Sequence, residues 1–313
     1  MIELSQQNHS HDADCDTTHV DAFPLSLEAA LDRFKRESVR GVCNTGRYNC
    51  SYFAWGSGPP LVFVHGMADV AQSYIPLAHL LSGHFRCIAY DLPTGRRDGA
   101  RLESYTHADL ISDLFALLDH LAIEQCYLFG SSLGSTIALP AAHEQPNRLR
   151  RLILQGGFAR RSLAPAERFL ARVACYLRVT HGSLPFRNAF MRRAAYSPMA
   201  EELTPEWQVF QANTGANPAR AVAHRALLLD QIDLRPLLTS IQQPILMICG
   251  DHDPVIRRAE ESVLLEGLPQ ATRVELPDCG HLAHFTHAGP VAELVKRFLT
   301  PPSCEQSGAV CSR

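Results

Sequence analysis

Residues Cys126 to Leu139 read Cys-Tyr-Leu-Phe-Gly-Ser-Ser-Leu-Gly-Ser-Thr-Ile-Ala-Leu. The first four are a short apolar run closed by a glycine, the pattern of a buried strand, and the stretch from Ser135 to Glu144 reads as a helix. Between them Gly130-Ser131-Ser132-Leu133-Gly134 fits G-x-S-x-G. On a sharp strand-to-helix turn such a serine sits in a strained backbone conformation with its Oγ thrust out at the C-terminal edge of a sheet. Small residues flank it because strand and helix cross closely there. The pentapeptide alone is a weak signal, since a tight glycine turn whose serine caps the helix reads the same. The flanking strand and helix make Ser132 the candidate nucleophile; Ser131 lies one position off the motif.

Outward from this turn, short apolar runs alternate with helical stretches. LVFVHG, FRCIAYD, RLILQGG and PILMICGD read as buried strands; residues 71–82, HADLISDLFALLDHL and GPVAELVKRFL read as helices, and TRVELPD as a last strand. YNCSYFAW reads as a further strand before the GSGPP turn. Alternation of this kind predicts the α/β class, with a mostly parallel central sheet covered by helices on both faces. Ahead of it, Ser26 is placed to cap a short helix, LEAALDRFKRE, with Leu27, Ala30, Leu31 and Phe34 on one face. The alternation stops over 159–241, which is helical in pattern. That stretch carries 11 Arg against 6 Asp plus Glu, a balance of +5, leaving −8 for the rest of a chain of net charge −3. The expected organisation is a disordered polar tail over 1–24, a core over 25–158 and 242–300, a helical insert over 159–241, and a flexible C-terminal tail over 301–313.

A serine hydroxyl needs a base. His281, in Cys279-Gly280-His281, follows the last strand and so falls at the same sheet edge as Ser132. The imidazole needs a carboxylate on its other nitrogen. Gly250-Asp251-His252-Asp253 follows the preceding strand; Asp253 lies beyond the strand end and is the candidate, while Asp251 is placed to brace the turn. The strand RLILQGGF ends in Gln155, Gly156, Gly157 and Phe158, with no carboxylate, which also favours Asp253. A tetrahedral oxyanion needs backbone N–H donors. Leu133, the residue after the nucleophile at the helix N-terminus, supplies one; Met67, in His65-Gly66-Met67-Ala68-Asp69, supplies the other, with Ala68 as the alternative. His284 and His287 follow His281 at helical spacing without a carboxylate or thiolate pattern, so packing or solvated roles are expected.

The apolar fraction is 46% over 313 residues, and a net charge of −3 gives no reason to expect nucleic acid or an anionic membrane as partner. The ten cysteines form no CxxC pair; Cys87, Cys126 and Cys249 lie in apolar runs, and free thiols are expected. The N-terminus lacks a basic region and an apolar core, and no apolar run reaches the length of a membrane span, so a soluble cytoplasmic protein is expected. His9, His11, Asp12, Asp14, Cys15, Asp16 and His19 are potential metal ligands in the tail, but their spacing fits no standard site. No metal or organic cofactor is implied.

These residues in order make the sequence resemble the α/β-hydrolase superfamily, in its serine esterase, lipase and C–C hydrolase-like branch with a helical cap. The resemblance covers about residues 45–300. It rests on Trp55 to Pro60, His65-Gly66, Asp91-Leu92-Pro93, Gly130 to Gly134, Gly250 to Asp253, and Gly280-His281. It implies the nucleophile at Ser132, the acid at Asp253, the base at His281, oxyanion donors at Met67 and Leu133, and a cap over 159–241 that shapes the substrate pocket. Two departures are visible. Relatives read D-x-P-G-x-G where this chain has Asp91-Leu92-Pro93-Thr94-Gly95-Arg96-Arg97, and Glu near position 286, where it has Thr286. Serine at the elbow argues against the dehalogenases and epoxide hydrolases, which use aspartate there, and the dienelactone hydrolases, which use cysteine.

The expected function is hydrolysis of a carboxylic ester, thioester or lactone of a small-molecule acyl substrate through an acyl-serine. C–C bond hydrolysis of a dicarbonyl uses the same three residues, and a ligand receptor of the same fold is the reading from another class. Arg160, Arg161, Arg168, Arg172, Arg178, Arg187, Arg192 and Arg193 invite an anionic substrate, but most are expected on the solvated outer face.

Overall fold

Along the strand Pro60–Val64 the side chains alternate between two apolar clusters. Leu61 and Phe63 join one, with Trp55, Leu77, Phe129 and Val291; Val62 and Val64 join the other, with Leu114, Leu128, Ile137 and Leu152. A period of two with both faces buried is what a central sheet between two helical layers demands. The computed structural model describes residues 27–95 and 97–300. The expectations for residues 1–24, for Ser26 as a cap and for 301–313 fall outside the described residues.

The elements run α1 (Leu27–Glu37), β1 (Val39–Asn44), β2 (Asn49–Trp55), β3 (Pro60–Val64), α2 (Ile75–Leu81), β4 (Arg86–Tyr90), α3 (His107–His120), β5 (Cys126–Ser131), α4 (Leu133–Glu144) and β6 (Leu149–Gln155). The helices α5 (Pro165–Ala174), α6 (Arg187–Ala195), α7 (Pro198–Glu201), α8 (Pro205–Gly215) and α9 (Ala219–Asp230) follow before the sheet resumes. It closes with β7 (Ile245–Gly250), α10 (Arg258–Gly267), β8 (Ala271–Leu276), α11 (Ala283–Thr286) and α12 (Ala288–Leu299). The eight strands order as β1-β2-β4-β3-β5-β6-β7-β8. Pairing is parallel from β4 to β8, and β2 runs antiparallel to both of its neighbours, β1 and β4. Helices α1, α2 and α12 supply one apolar layer, and α3, α4 and α10 the other.

Parallel pairing places the loops after β3, β5, β6, β7 and β8 at one sheet edge. Close packing at that edge explains the glycines of the turn. A Cβ on Gly134 would lie 2.0 Å from the Val64 carbonyl oxygen, and one on Gly130 would lie 2.5 Å from the Gly134 carbonyl oxygen. Helix α4 therefore crosses β3 and β5 in backbone contact, which only glycine permits.

Two elements and one side chain differ from expectation. Strand β1 is not legible as a strand because it lies at the sheet edge with Cys43 its one buried residue. Helix α10 carries no strong apolar stripe, with Glu261 and Leu264 its buried residues. In the insert, Arg187 is buried rather than solvated, with Nη2 on the Thr214 hydroxyl. Cys87, Cys126 and Cys249 are buried, and the seven cysteines among the described residues are free. Among the described residues no helix is long and apolar enough to cross a membrane.

Candidate active site

Ser132 sits between β5 and α4 with φ 51° and ψ −113°. This is a left-handed conformation that L-residues rarely adopt, and holding a serine there costs on the order of 1–3 kcal/mol. The cost is met by the surrounding hydrogen bonds: the Ser132 N–H donates to the Gln155 carbonyl (2.9 Å) and its own carbonyl accepts from Ser135 N–H (2.9 Å). Leu133 opens α4, so its N–H has no acceptor within the helix.

His281 follows β8, and its Nδ1 lies 2.7 Å from Asp253 Oδ2. The other carboxylate oxygen, Oδ1, accepts the N–H groups of Val255 (2.7 Å) and Ile256 (3.0 Å). Burial pushes the Asp253 carboxyl up, but the His281 imidazole and these two N–H donors outweigh it and hold the group below the usual carboxylate range. Gly156, after β6, makes room for the pair. Its φ is +56°, and a Cβ there would lie 2.7 Å from His281 Cε1. Asp251 braces the turn, accepting N–H bonds from Asp278 (3.1 Å) and Cys279 (3.0 Å). Ser132 and His281 line one cavity of about 260 Å³ together with Met67. Five candidates thus gather at one edge: Ser132, His281 and Met67 on the cavity, Asp253 behind His281, and Leu133 beside Ser132.

The loop after β3 is held by residues whose role sequence reasoning missed. The N–H of Leu92 donates to His65 Nε2 (3.0 Å), so Nδ1 carries the proton and donates to the Gly66 carbonyl (2.7 Å). That carbonyl and the Met67 N–H belong to one planar trans peptide and point in opposite directions. Pinning the carbonyl therefore sets the direction of the Met67 N–H. Arg225 of α9 does the same for the next peptide: Nη1 donates to the Met67 carbonyl (2.9 Å), while Nη2 reaches the carbonyls of Leu92 (2.9 Å) and Pro93 (3.1 Å). Asn217 Nδ2 donates to the carbonyls of Ala68 (3.3 Å) and Asp69 (3.2 Å). Burial pulls Arg225 down to about 10, so it remains a cation at neutral pH. Its signal in the sequence was its place on a buried stripe, three residues after Val222 and four before Leu229.

Behind the cavity runs a buried polar chain. Gln155 Nε2 donates to the His281 carbonyl (2.6 Å), which leaves Gln155 Oε1 to accept from the Ser131 hydroxyl (2.9 Å) and from His284 Nδ1 (2.8 Å). The far ring nitrogen of His284 lies 3.0 Å from Asp69 Oδ2. That contact is close but is not an aligned hydrogen bond. Burial pushes the Asp69 carboxyl up, but the facing His284 ring outweighs it and holds the group below the usual carboxylate range. His284 thus has a buried bonding role within the expected packing, whereas the His287 ring meets the Thr286 hydroxyl (2.9 Å).

His65 carries a pH prediction. Burial, reinforced by the charge of Arg225, lowers it to about 4, against roughly 6.5 in an unfolded chain. Between those values the unfolded chain binds a proton that the folded one refuses, so stability falls as pH falls from about 6.5 towards 4. For His65 alone the loss is on the order of 3 kcal/mol. His107 and His181, also lowered to about 4 by burial, act in the same direction. Urea midpoints at pH 7.5 and pH 5 are expected to drop for wild type and to drop less for His65→Gln; equal drops would remove His65 as a source.

Comparison with known proteins agrees with this architecture. The chain is 26% identical over 260 residues to a pimeloyl-[acyl-carrier protein] methyl ester esterase from Aeromonas hydrophila, covering 78% of this chain and 97% of that protein. It is 27% identical over 254 residues to a 2-succinyl-6-hydroxy-2,4-cyclohexadiene-1-carboxylate synthase from Yersinia pseudotuberculosis, covering 79% and 90%. The solved enol-lactonase of Burkholderia xenovorans superposes with a TM-score of 0.75 at 23% identity, covering 83% of this chain and 99% of that one. The sequence profile described as alpha/beta hydrolase fold matches residues 59–288, and the chain belongs to that family of hydrolases.

Proposed function

We propose that this hydrolase cleaves a carboxylic ester, thioester or lactone through an acyl-Ser132 intermediate. His281 removes the Ser132 proton as Oγ attacks the carbonyl carbon, Asp253 stabilises the imidazolium that forms, and His281 then returns the proton to the leaving alcohol or thiol. Water repeats the sequence and releases the acid. The N–H groups of Met67 and Leu133 receive the oxyanion. The observation that carries this reading is the strained Ser132 beside a cavity shared with an Asp253-bonded His281.

The substrate side of the cavity is supplied largely by the helical insert, which we take as a cap spanning 159–241 over a core of 25–158 and 242–300. Leu163, Ala171, Met191, Phe210 and Leu229 line it with Phe158. An apolar lining of that kind favours a hydrocarbon acyl chain.

Labelling by a fluorophosphonate, with turnover of short chromogenic esters alongside, tests the reading. Wild type is expected to label and turn over, and Ser132→Ala to do neither, with kcat down by about 10³-fold or more. Labelling of both proteins alike, or of neither, would remove Ser132 as nucleophile.

A further inference from the structure

Helix α5 has an apolar sequence face and no buried residue. Glu167 and Ala171 face the cavity. At 100° per residue, Phe169 and Val173 fall on the other side and Leu170 on the flank, and they are 66%, 45% and 64% exposed. Tyr176, just beyond the helix, is 88% exposed. At the start of α6, which also lines the cavity through Phe190 and Met191, Phe186 is 87% exposed and stands at a left-handed φ of 62°. Phe190 is more than half exposed and also lines the cavity, so the cavity reaches solvent beside this surface. Monomeric proteins rarely leave so many large apolar groups uncovered on two segments that share one cavity.

Arginines accompany the patch. Arg172, Arg178, Arg192 and Arg193 are all exposed in the same two segments, within an insert of balance +5. The net charge of −3, which pointed away from an anionic membrane at the level of composition, conceals this segregation. We infer that the outer face of α5 and α6 docks on an anionic lipid surface, with the aromatic and aliphatic side chains entering the interface and the arginines meeting the headgroups. Apolar side chains rimmed by arginine are what such an interface binds. A second copy of the chain fits less well, because a twofold contact through this face would set the same arginines opposite one another. That the docked face feeds acyl chains into the cavity beside Phe190 rests on the hydrolase reading above; the docking does not.

The test is co-sedimentation of the full chain, as Ser132→Ala so that no turnover intervenes, with phosphatidylcholine vesicles with or without phosphatidylglycerol. Binding is expected with the anionic vesicles only, weakening as salt is raised. The Arg172→Gln/Arg178→Gln variant is expected to partition on the order of tenfold less, from the loss of two surface cations. Phe169→Ser/Tyr176→Ser alters only exposed side chains and is expected to lose binding while its fold, followed by circular dichroism, persists. Absence of binding to anionic vesicles, or unchanged binding by both variants, would overturn the proposal. So would a dimer in sedimentation velocity that Phe169→Ser/Tyr176→Ser dissolves, which would assign the face to a second copy. Binding that survives alongside failed fluorophosphonate labelling would leave docking intact and remove the hydrolase reading.

Discussion

Ser132→Gly is expected to lose ester turnover by about 10⁴-fold or more and at the same time to unfold later than wild type, by roughly 1 kcal/mol. The two effects share one cause. Ser132 is held at φ 51°, ψ −113°, where a Cβ is strained and glycine is not. Glycine relieves on the order of 1–3 kcal/mol of that strain and gives back about 0.5–1 kcal/mol through the greater freedom of the unfolded chain. The backbone bonds from Ser132 N–H to Gln155 and from Ser135 N–H to Ser132 do not involve the side chain and persist. Urea denaturation beside a chromogenic ester assay reads both quantities. A glycine protein less stable than wild type would mean the serine conformation is not strained; retained turnover would mean the nucleophile lies elsewhere.

Arg225→Met is the second large effect. Arg225 is a buried cation whose guanidinium spans three carbonyls, those of Met67, Leu92 and Pro93. Methionine fills much of the same volume but donates nothing, so three inward-facing acceptors lose their partner at about 1–3 kcal/mol each where water cannot replace it. A total loss of roughly 3 kcal/mol or more in stability is expected, because removing one side of a buried charged network costs about that much. Turnover is expected to fall as well, with kcat affected more than KM, since the Met67–Ala68 peptide is no longer pinned beside Ser132. Arg225→Lys should rescue little, because an ammonium cannot bridge the three carbonyls as a planar fork does. Unchanged kcat in a folded Arg225→Met protein would show that the loop after β3 holds its own geometry.

The parts of this architecture legible in the sequence were those with a strong local pattern. The strands β3 to β7 are apolar runs, and the glycines of the Ser132 turn stand where backbones cross. Ser132, Asp253 and His281 were identifiable because each follows a strand of a parallel sheet, and parallel pairing sends all such loops to one edge. Strand β1 was not legible because an edge strand with one buried residue has no alternation to detect. His65, Gln155, Asp69, His284 and Arg225 escaped for a different reason. Each acts through a partner more than twenty residues away, or on the backbone of another loop, and no spacing rule encodes such a pairing. Gly156 was half visible: two glycines after a buried strand mark a close approach, but not that His281 is what approaches.

The carbonyls of Met67, Ala68 and Asp69 are all held by side chains of the helical insert, Arg225 and Asn217. The insert is therefore not a detachable module. A chimera that exchanges it for the corresponding segment of a relative, in the hope of transplanting selectivity, would also release the loop that faces Ser132. Any recombination scheme must carry positions 217 and 225 with the scaffold rather than with the graft.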